Sequence, residues 1–223
     1  MFTLPAIYPI LDTGSLERLG LDPLLTAEAF LEGGAQILQF RHKGFWSRDT
    51  FALASQIAKL CAEARVPFIV NDRADYAAIL GAGLHVGQED LLPSDARRVI
   101  GPGAILGSST HNPAQMAAAQ SEPVDYVAFG PVFPTQTKQN PDPTTGIDTL
   151  RAVRALTALP LVAIGGITIH NAPAVWQAGA DSVAVISDLL QVSFPLSASV
   201  TGMPTKQNLR DRLAEWQRLH GKN

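Results

Sequence analysis

The chain contains little of what marks several large classes of protein. Among its 223 residues there is one cysteine, Cys61, so no internal disulfide can form, which is typical of a reducing compartment. Cys61 lies in a stretch with helical spacing of apolar residues, and we interpret it as a small buried hydrophobe rather than a nucleophile. Charged residues make up 17%, without a long run of one sign, which argues against extended disorder. The formal net charge is -3, and no cluster of Lys and Arg indicates a nucleic-acid surface.

Long apolar runs are also missing. No stretch approaches the roughly 18 residues that a membrane span needs. The first basic residue is Arg18, so the basic start of a signal peptide is absent. We therefore expect a cytoplasmic protein that contacts no membrane, and the sequence leaves a homo-oligomer open. The length suits one α/β barrel occupying residues 1–223 as a single domain, with 46% hydrophobic residues to fill its core.

Short apolar runs alternate with longer amphipathic stretches along the chain. Strands of a parallel sheet, covered by helices on the outside, read as apolar runs because they are buried on both faces. The predicted strands are Ala6–Leu11, Gln36–Arg41, Phe68–Asn71, Gly83–His85, Ile105–Ser109, Tyr126–Phe129, Leu161–Ile164 and Ser182–Ile186. The predicted helices are Pro23–Glu32, Arg48–Ala64, Ala74–Leu80, Pro93–Val99, Pro113–Gln120, Ile147–Ala155, Ala172–Trp176 and Lys206–His220.

Eight strands in this order fit either a closed barrel or an open doubly wound sheet. A dinucleotide-binding sheet would carry a G-x-G-x-x-G turn after its first strand, and Asp12–Ser15 does not have that pattern. We therefore predict an α/β fold of the (β/α)8, or TIM barrel, type. Predicted helix N-caps at Ser47, Ser94, Asn112 and Asn171 support the boundaries. In such a barrel the active site lies where the strands end at their carboxyl side.

Cationic and amide side chains end the second predicted strand. Gln39, Arg41 and Lys43 alternate, so they share one face and point to the barrel mouth. A guanidinium fork with a mobile ammonium suits a diphosphate, although a merely solvated strand end remains open.

Two carboxylates follow neighbouring strands beside that cationic group. Asp72 comes after the third strand and Asp90 after the fourth. One or two carboxylates with substrate phosphate is the usual arrangement for Mg²⁺. The alternatives are that Asp72 caps the following helix and that Arg73 belongs to a structural ion pair.

The later strands end in hydroxyls, glycines and one histidine. Ser109 could bond a phosphate or a ring nitrogen, and His111 is either a proton-transfer group or a structural residue. The next loop carries Thr135, Thr137 and Lys138, which could hold an anion and close over a site.

A second anion site is expected where strands seven and eight end, because those loops commonly bind phosphate in such barrels. Gly166 would let backbone approach a phosphate closely, beside Ile186 and Ser187. Two anion sites over one mouth indicate a transferase with two phosphorylated substrates.

Six stretches in order resemble the thiamine phosphate synthase family, between residues 35 and 187. Each motif is short, and their common order is what makes the resemblance specific. They are Gln39–Lys43, Val70–Arg73, His85–Asp90, Gly107–His111, Asp125–Lys138 and Ala163–Ile167. His42 departs from the family, which usually has an acid there. It should point away from the mouth and have little effect.

The resemblance implies a role for each of these residues. The family joins hydroxymethylpyrimidine diphosphate to a thiazole phosphate and releases diphosphate, through a reaction thought to be dissociative. The pyrimidine diphosphate would be bound by Gln39, Arg41, Lys43, Asn71, Ser109 and Lys138, the last two also serving catalysis by positioning and charge. Asp72 and Asp90 would hold Mg²⁺. The thiazole phosphate would be bound by Thr135, Gln136, Thr137, Gly166, Ile186 and Ser187.

Two other functions remain open. A related barrel, the thiazole tautomerase, would use His111 for proton transfer and should not need the motifs around Asp72 and Asp90. A catalytically silent barrel that senses thiazole phosphate is the other.

Overall fold

Eight parallel strands close into a barrel in which each strand pairs with the next and the eighth returns to the first. The computed structural model describes residues 3–135, 137, 143–191 and 204–220. The strands are β1 Ile7–Asp12, β2 Leu38–Arg41, β3 Phe68–Asn71, β4 Gly83–Val86, β5 Leu106–Thr110, β6 Tyr126–Phe129, β7 Leu161–Ile164 and β8 Ser182–Val185. The predicted (β/α)8 barrel is confirmed.

Helices follow the strands and cover the barrel on the outside. Within the described residues they are α1 Thr13–Leu19, α2 Pro23–Glu32, α3 Arg48–Glu63, α4 Ala74–Leu80, α5 Pro93–Ile100, α6 Pro113–Ala119, α7 Gly146–Arg154, α8 Ala172–Gln177, α9 Ser187–Leu190 and α10 Lys206–His220. None of these helices is long and apolar enough to cross a membrane.

Most predicted boundaries agree with the structure to within two residues. The sequence reading missed α1 and α9, because both are short and carry little helical periodicity. Ser47 and Asn112 cap their helices as predicted, by accepting hydrogen bonds from backbone N–H groups.

Of the other two predicted caps, Ser94 is wrong, and Asn171 has the predicted position without a capping hydrogen bond. Ser94 lies inside α5, which starts at Pro93 with Leu92 in the cap position. Asn171 occupies the cap position of α8 but makes no capping bond. Its amide instead accepts from the N–H of Thr168 and donates to the carbonyl of Gly166, so it fixes the loop after β7.

The barrel interior is filled by alternate residues of the strands. Successive strand side chains point to opposite faces of the sheet, so the buried apolar side chains form two clusters. The larger one lies between strands and helices, and the smaller one lies inside the barrel. The inner cluster comprises Tyr8, Ile10, Ile37, Ile69, Tyr126, Ala128, Val162 and Ala184. Gly107 makes room for the Tyr126 ring, whose Cζ would lie 2.0 Å from a Cβ at that position. The barrel interior below the rim is thus filled by packed side chains.

Cys61 is fully buried on α3. Burial raises the pKa of its thiol to about 12, so the thiolate that a nucleophile requires is suppressed. This agrees with its interpretation as a core residue.

Candidate active site

A cavity of about 580 Å³ opens where the strands end at their carboxyl side. The residues predicted for the two anion sites line it together, wherever the structure describes them. They are Gln39, Arg41, Lys43, Asn71, Asp72, Asp90, Ser109, Thr135, Thr137, Gly166, Ile186 and Ser187. Gln136 and Lys138 lie outside the described residues. One cavity therefore contains both predicted subsites.

The cationic end of the cavity is built by β2 and the loop after it. Arg41 forms an ion pair with Asp12 at the end of β1, and Lys43 forms one with Asp72. Asn71 is 6% exposed and its Nδ2 has no hydrogen-bond partner within the described part of the chain. A buried amide donor on a cavity wall is satisfied only by an acceptor on a ligand or by water. The three side chains together suit an anion.

Asp12 is a site residue that the sequence reading missed. It is 3% exposed, and its Oδ1 also accepts from the N–H and the hydroxyl of Ser15, capping α1. Its register opposite Arg41 in the β1–β2 pair was available only once the strand pairing was known. Asp12 thus fixes the guanidinium from the strand side.

Replacing Asp12 with asparagine should lower the free energy of unfolding by about 2–4 kcal/mol. Asparagine caps helices as well as aspartate does, so the loss comes from leaving Arg41 largely buried without its counter-charge. Urea denaturation measures it. Asp22 caps α2 from an exposed position, so Asp22→Asn is the matched control and should change stability by less than about 1 kcal/mol. Equal losses in the two variants would contradict a stabilising Asp12–Arg41 pair.

Two carboxyl groups face each other beside this cationic end. Burial and the contact with Asp90 raise the pKa of Asp72 to about 6, although Lys43 acts in the opposite direction. Asp90 also accepts a hydrogen bond of 2.7 Å from the N–H of Gly87, which holds its side chain in the loop. A carboxyl pair that repels in the absence of a cation is the arrangement expected of a cation site.

The donor set decides which metal would fit. Within the described residues, no group of three or more His, Cys, Asp and Glu side chains is placed to hold a metal ion. Asp72 and Asp90 supply hard oxygen ligands only, which fits Mg²⁺, an ion that usually takes its other ligands from phosphates and water. The alternative of Asp72 as a helix cap is wrong, because Arg73 holds the cap position of α4 and no side chain caps it. Arg73 does form the structural ion pair that was left open, with Asp75.

The opposite end of the cavity joins the loops after β6, β7 and β8. The Oγ atoms of Thr137 and Ser187 lie 3.1 Å apart, and the Thr137 N–H donates weakly to the Oγ1 of Thr135 at 3.4 Å. Gly166 has a φ of 61°, and a Cβ there would lie 2.4 Å from the carbonyl oxygen of Pro134. Glycine is therefore required for the close approach of these loops.

The loop after β8 is held from the far end of the described chain. The carboxylate of Asp188 accepts from Arg212 at 2.6 Å and from the Trp216 indole at 2.8 Å. Arg212 also donates to the Asp188 carbonyl oxygen, so α10 fixes α9 and with it Ser187. Periodicity does not predict this contact, because it joins residues more than 20 positions apart.

His42 and His111, whose roles the sequence does not determine, have different surroundings. His111 lines the cavity, and its Nδ1 lies 2.6 Å from the carbonyl oxygen of Gly130, a contact that orients the ring. His42 does not line the cavity. Its ring contacts Thr13, the carbonyl of Phe45 and the ring of Trp46, as its alternation with Arg41 predicts.

A buried chain of hydrogen bonds runs across the floor of the cavity. Gln39 Nε2 donates to the Tyr8 hydroxyl at 3.1 Å, and that hydroxyl lies 2.8 Å from the hydroxyl of Tyr126. Tyr126 lies 3.0 Å from His85 Nδ1, and His85 Nε2 lies 2.9 Å from Ser109 Oγ. All five residues line the cavity. Of these five residues, the sequence predicts a role in the site only for Gln39 and Ser109, at the two ends of the hydrogen-bond chain.

Comparison with known proteins identifies the family. The family model described as thiamine monophosphate synthase matches residues 7–189. The chain belongs to the thiamine monophosphate synthase family.

Individual members agree with this family assignment. A thiamine-phosphate synthase of Koribacter versatilis is 48% identical over 193 residues, which cover 84% of this chain and 90% of that protein. One of Bacillus velezensis is 39% identical, with 80% and 81% covered. The solved thiamine phosphate pyrophosphorylase of Pyrococcus furiosus superposes with a TM-score of 0.79 at 29% identity, covering 97% of this chain and 96% of that one. The chain is thus an enzyme of this family type.

Proposed function

We propose that this enzyme condenses 4-amino-2-methyl-5-hydroxymethylpyrimidine diphosphate with 4-methyl-5-hydroxyethylthiazole phosphate, or its carboxylated form, to give thiamine phosphate and diphosphate. The carboxylated form would also release carbon dioxide. The observation that carries the proposal is that both groups of residues that would bind an anion line one cavity. One group lies around Arg41 and Lys43, at the end of β2, and the other around Gly166 and Ser187, after β7 and β8. Two phosphorylated substrates can therefore be held with their reacting parts together.

The cationic end would bind the pyrimidine diphosphate. Arg41 offers a bidentate fork already oriented by Asp12, and Lys43 is 53% exposed on its side chain and free to follow the phosphates. The unpaired Nδ2 of Asn71 supplies a further donor. Gln39 and Ser109 would contact the pyrimidine ring, and Lys138 is assigned to this substrate from the family resemblance alone.

Asp72 and Asp90 would hold Mg²⁺ at this end. When bound there, the ion would neutralise negative charge on the departing diphosphate. The carboxyl pair, the raised pKa of Asp72 and the adjacent cavity support this assignment.

The glycine and hydroxyl end would bind the thiazole phosphate. Thr135, Thr137 and Ser187 supply hydroxyls, while Gly166 and Ile186 bring backbone N–H groups near the phosphate. Gln136 joins this set by its position in the family motif. Asn171 would keep the Gly166 loop in place.

The reaction exchanges one bond at the pyrimidine methylene carbon. Its bond to the diphosphate oxygen breaks, and the oxygen leaves with both electrons. The lone pair of the thiazole nitrogen then forms the new C–N bond. Because the carbon is cationic between these events, the residues must stabilise the leaving group and hold the nitrogen close. No nucleophilic side chain is required.

The decisive experiment mixes both substrates with Mg²⁺ and measures thiamine phosphate by mass. We expect its formation together with one diphosphate, and no formation when either substrate or Mg²⁺ is omitted. Isothermal titration should show pyrimidine diphosphate binding only with Mg²⁺. A thiazole tautomerase acting through His111, or a barrel that only senses thiazole phosphate, would not bind the pyrimidine diphosphate.

The buried, single cysteine supports action in a reducing compartment such as the cytoplasm.

A further inference from the structure

The buried chain Gln39–Tyr8–Tyr126–His85–Ser109 joins two residues that would contact the pyrimidine ring. Its inner members are almost inaccessible, with Tyr8 at 1%, Tyr126 at 0% and His85 at 7% exposure. We propose that this chain fixes the hydrogen-bond polarity at both ends at once, and so selects an aminopyrimidine over an oxopyrimidine. The inference rests on the proposed function, because it concerns the choice of substrate in the same cavity.

The polarity follows from counting protons. Gln39 donates to Tyr8, so the single proton of Tyr8 is available for Tyr126, and that of Tyr126 for His85 Nδ1. His85 then carries its proton on Nε2 and donates it to Ser109 Oγ. The amide oxygen of Gln39 and the hydroxyl proton of Ser109 remain for the ligand.

An aminopyrimidine matches this polarity at both ends. Its exocyclic amine donates, which suits the Gln39 oxygen, and its adjacent ring nitrogen accepts, which suits the Ser109 proton. An oxopyrimidine presents a carbonyl acceptor and a ring N–H donor, so it mismatches both. To bind it well, every proton in the chain must reverse, the Gln39 amide must rotate, and His85 must change tautomer.

The hydrogen-bond chain requires a neutral His85, whose ring has one donor and one acceptor nitrogen. The ring is 7% exposed and stacks on Tyr126, and its two nitrogens face the Tyr126 hydroxyl and Ser109 Oγ. Burial raises the pKa of both tyrosine hydroxyls, which therefore also stay protonated. Tyr8, Tyr126 and His85 are positioning residues, since they act through Gln39 and Ser109.

The hydrogen-bond chain can be interrupted without removing an aromatic ring. Tyr126→Phe retains the ring that packs on Gly107 and stacks on His85, and Tyr8→Phe retains the edge contact with Tyr126. In either variant, the hydrogen bonds on the two sides of the missing hydroxyl can then reverse their direction independently. The protein has one more tyrosine, Tyr76, which lies outside the hydrogen-bond chain. It stacks on Trp46 and is not among the residues that line the cavity, so Tyr76→Phe is the matched control.

The test compares kcat/KM for the 4-amino pyrimidine diphosphate and its 4-oxo analogue in each variant, with saturating thiazole phosphate. We expect the amino-over-oxo preference to fall about 10-fold or more in either chain variant, while the KM for thiazole phosphate stays the same. The double variant should lose little more than either single one, because one cut already separates the ends. Tyr76→Phe should keep the wild-type preference.

Several results would overturn the inference. They are an unchanged preference, an equal loss on both substrates, or losses that multiply in the double variant. Nitrogen-15 NMR of labelled histidine gives a readout without turnover, since His85 should carry its proton on Nε2 and the Nδ1–H tautomer would refute the polarity. If wild-type protein made no thiamine phosphate, the proposed function would fail, and the tautomer would still test the inference.

Discussion

Replacing Asp72 with asparagine should make the unliganded protein more stable near neutral pH while reducing kcat/KM by about 100-fold or more. Asparagine has nearly the same shape, and it tolerates the left-handed backbone at this position, where φ is 66°. The substitution therefore removes the charge with little change in the backbone. Alanine there would add backbone strain to the loss of charge.

The gain in stability has a defined pH range. Because the pKa of Asp72 rises from 3.8 to about 6 on folding, its contribution to stability is complete below pH 4 and is lost as the pH rises through 6. The full shift corresponds to about 3 kcal/mol, which the partial exposure of the side chain reduces to roughly 1–2 kcal/mol. The difference in unfolding free energy between variant and wild type should thus grow in favour of the variant from pH 4 to pH 7.

The activity loss reflects the second role of the same carboxylate. Without Asp72 the pyrimidine diphosphate should no longer bind in a Mg²⁺-dependent manner, as titration calorimetry would show. Asp75→Asn is the control, since Asp75 is exposed on α4 and pairs only with Arg73 among the described ion pairs. That control should keep its activity. Full turnover by Asp72→Asn at saturating Mg²⁺ would contradict the metal assignment.

Replacing Gly166 with alanine should raise the KM for thiazole phosphate about 100-fold and lower stability by about 3 kcal/mol. The added Cβ would meet the Pro134 carbonyl oxygen at 2.4 Å and Phe133 Cβ at 2.8 Å, both closer than non-bonded atoms pack. The loops after β6 and β7 must then separate, which displaces Thr135 and Thr137 from Ser187. Binding of pyrimidine diphosphate, at the other end of the cavity, should change much less.

A second glycine with a similar backbone conformation distinguishes the effect of this steric contact from the effect of backbone strain alone. Gly81 has a φ of 62°, nearly that of Gly166, but a Cβ there would meet nothing within 4 Å. Gly81→Ala should therefore lose only about 1 kcal/mol and leave both KM values unchanged. If the two variants had the same kinetics, close approach of the loops would not be what shapes the phosphate site.

The fold was largely predictable because burial on both strand faces leaves apolar runs that are easy to find. β3, β6 and β7 were predicted to the residue, and the barrel followed from their alternation with helices. The missed helices α1 and α9 are short segments held by loop contacts, including Asp12 with Ser15 and Asp188 with Arg212. Such contacts join residues through space, and periodicity does not record them.

The site was predictable where strand alternation could be read at a strand end. Gln39, Arg41 and Lys43 all reach the cavity for that reason. The same alternation places Tyr8 and Tyr126 inside the barrel, but an aromatic residue in a strand reads first as core. Their hydroxyls matter because of neighbours on other strands, and one sequence does not tell which strands bring polar groups to the same depth.

The ties from Arg212 and Trp216 to Asp188 also bear on the order in which the enzyme becomes active during synthesis. A nascent chain that has left the ribosome as far as α9 already carries every residue assigned to the two substrates, yet the Asp188 carboxylate lacks its hydrogen bonds to α10. Only when α10 emerges and docks does the Ser187 loop gain its anchors. Substrate binding at the thiazole end is thereby delayed until the last described helix has folded.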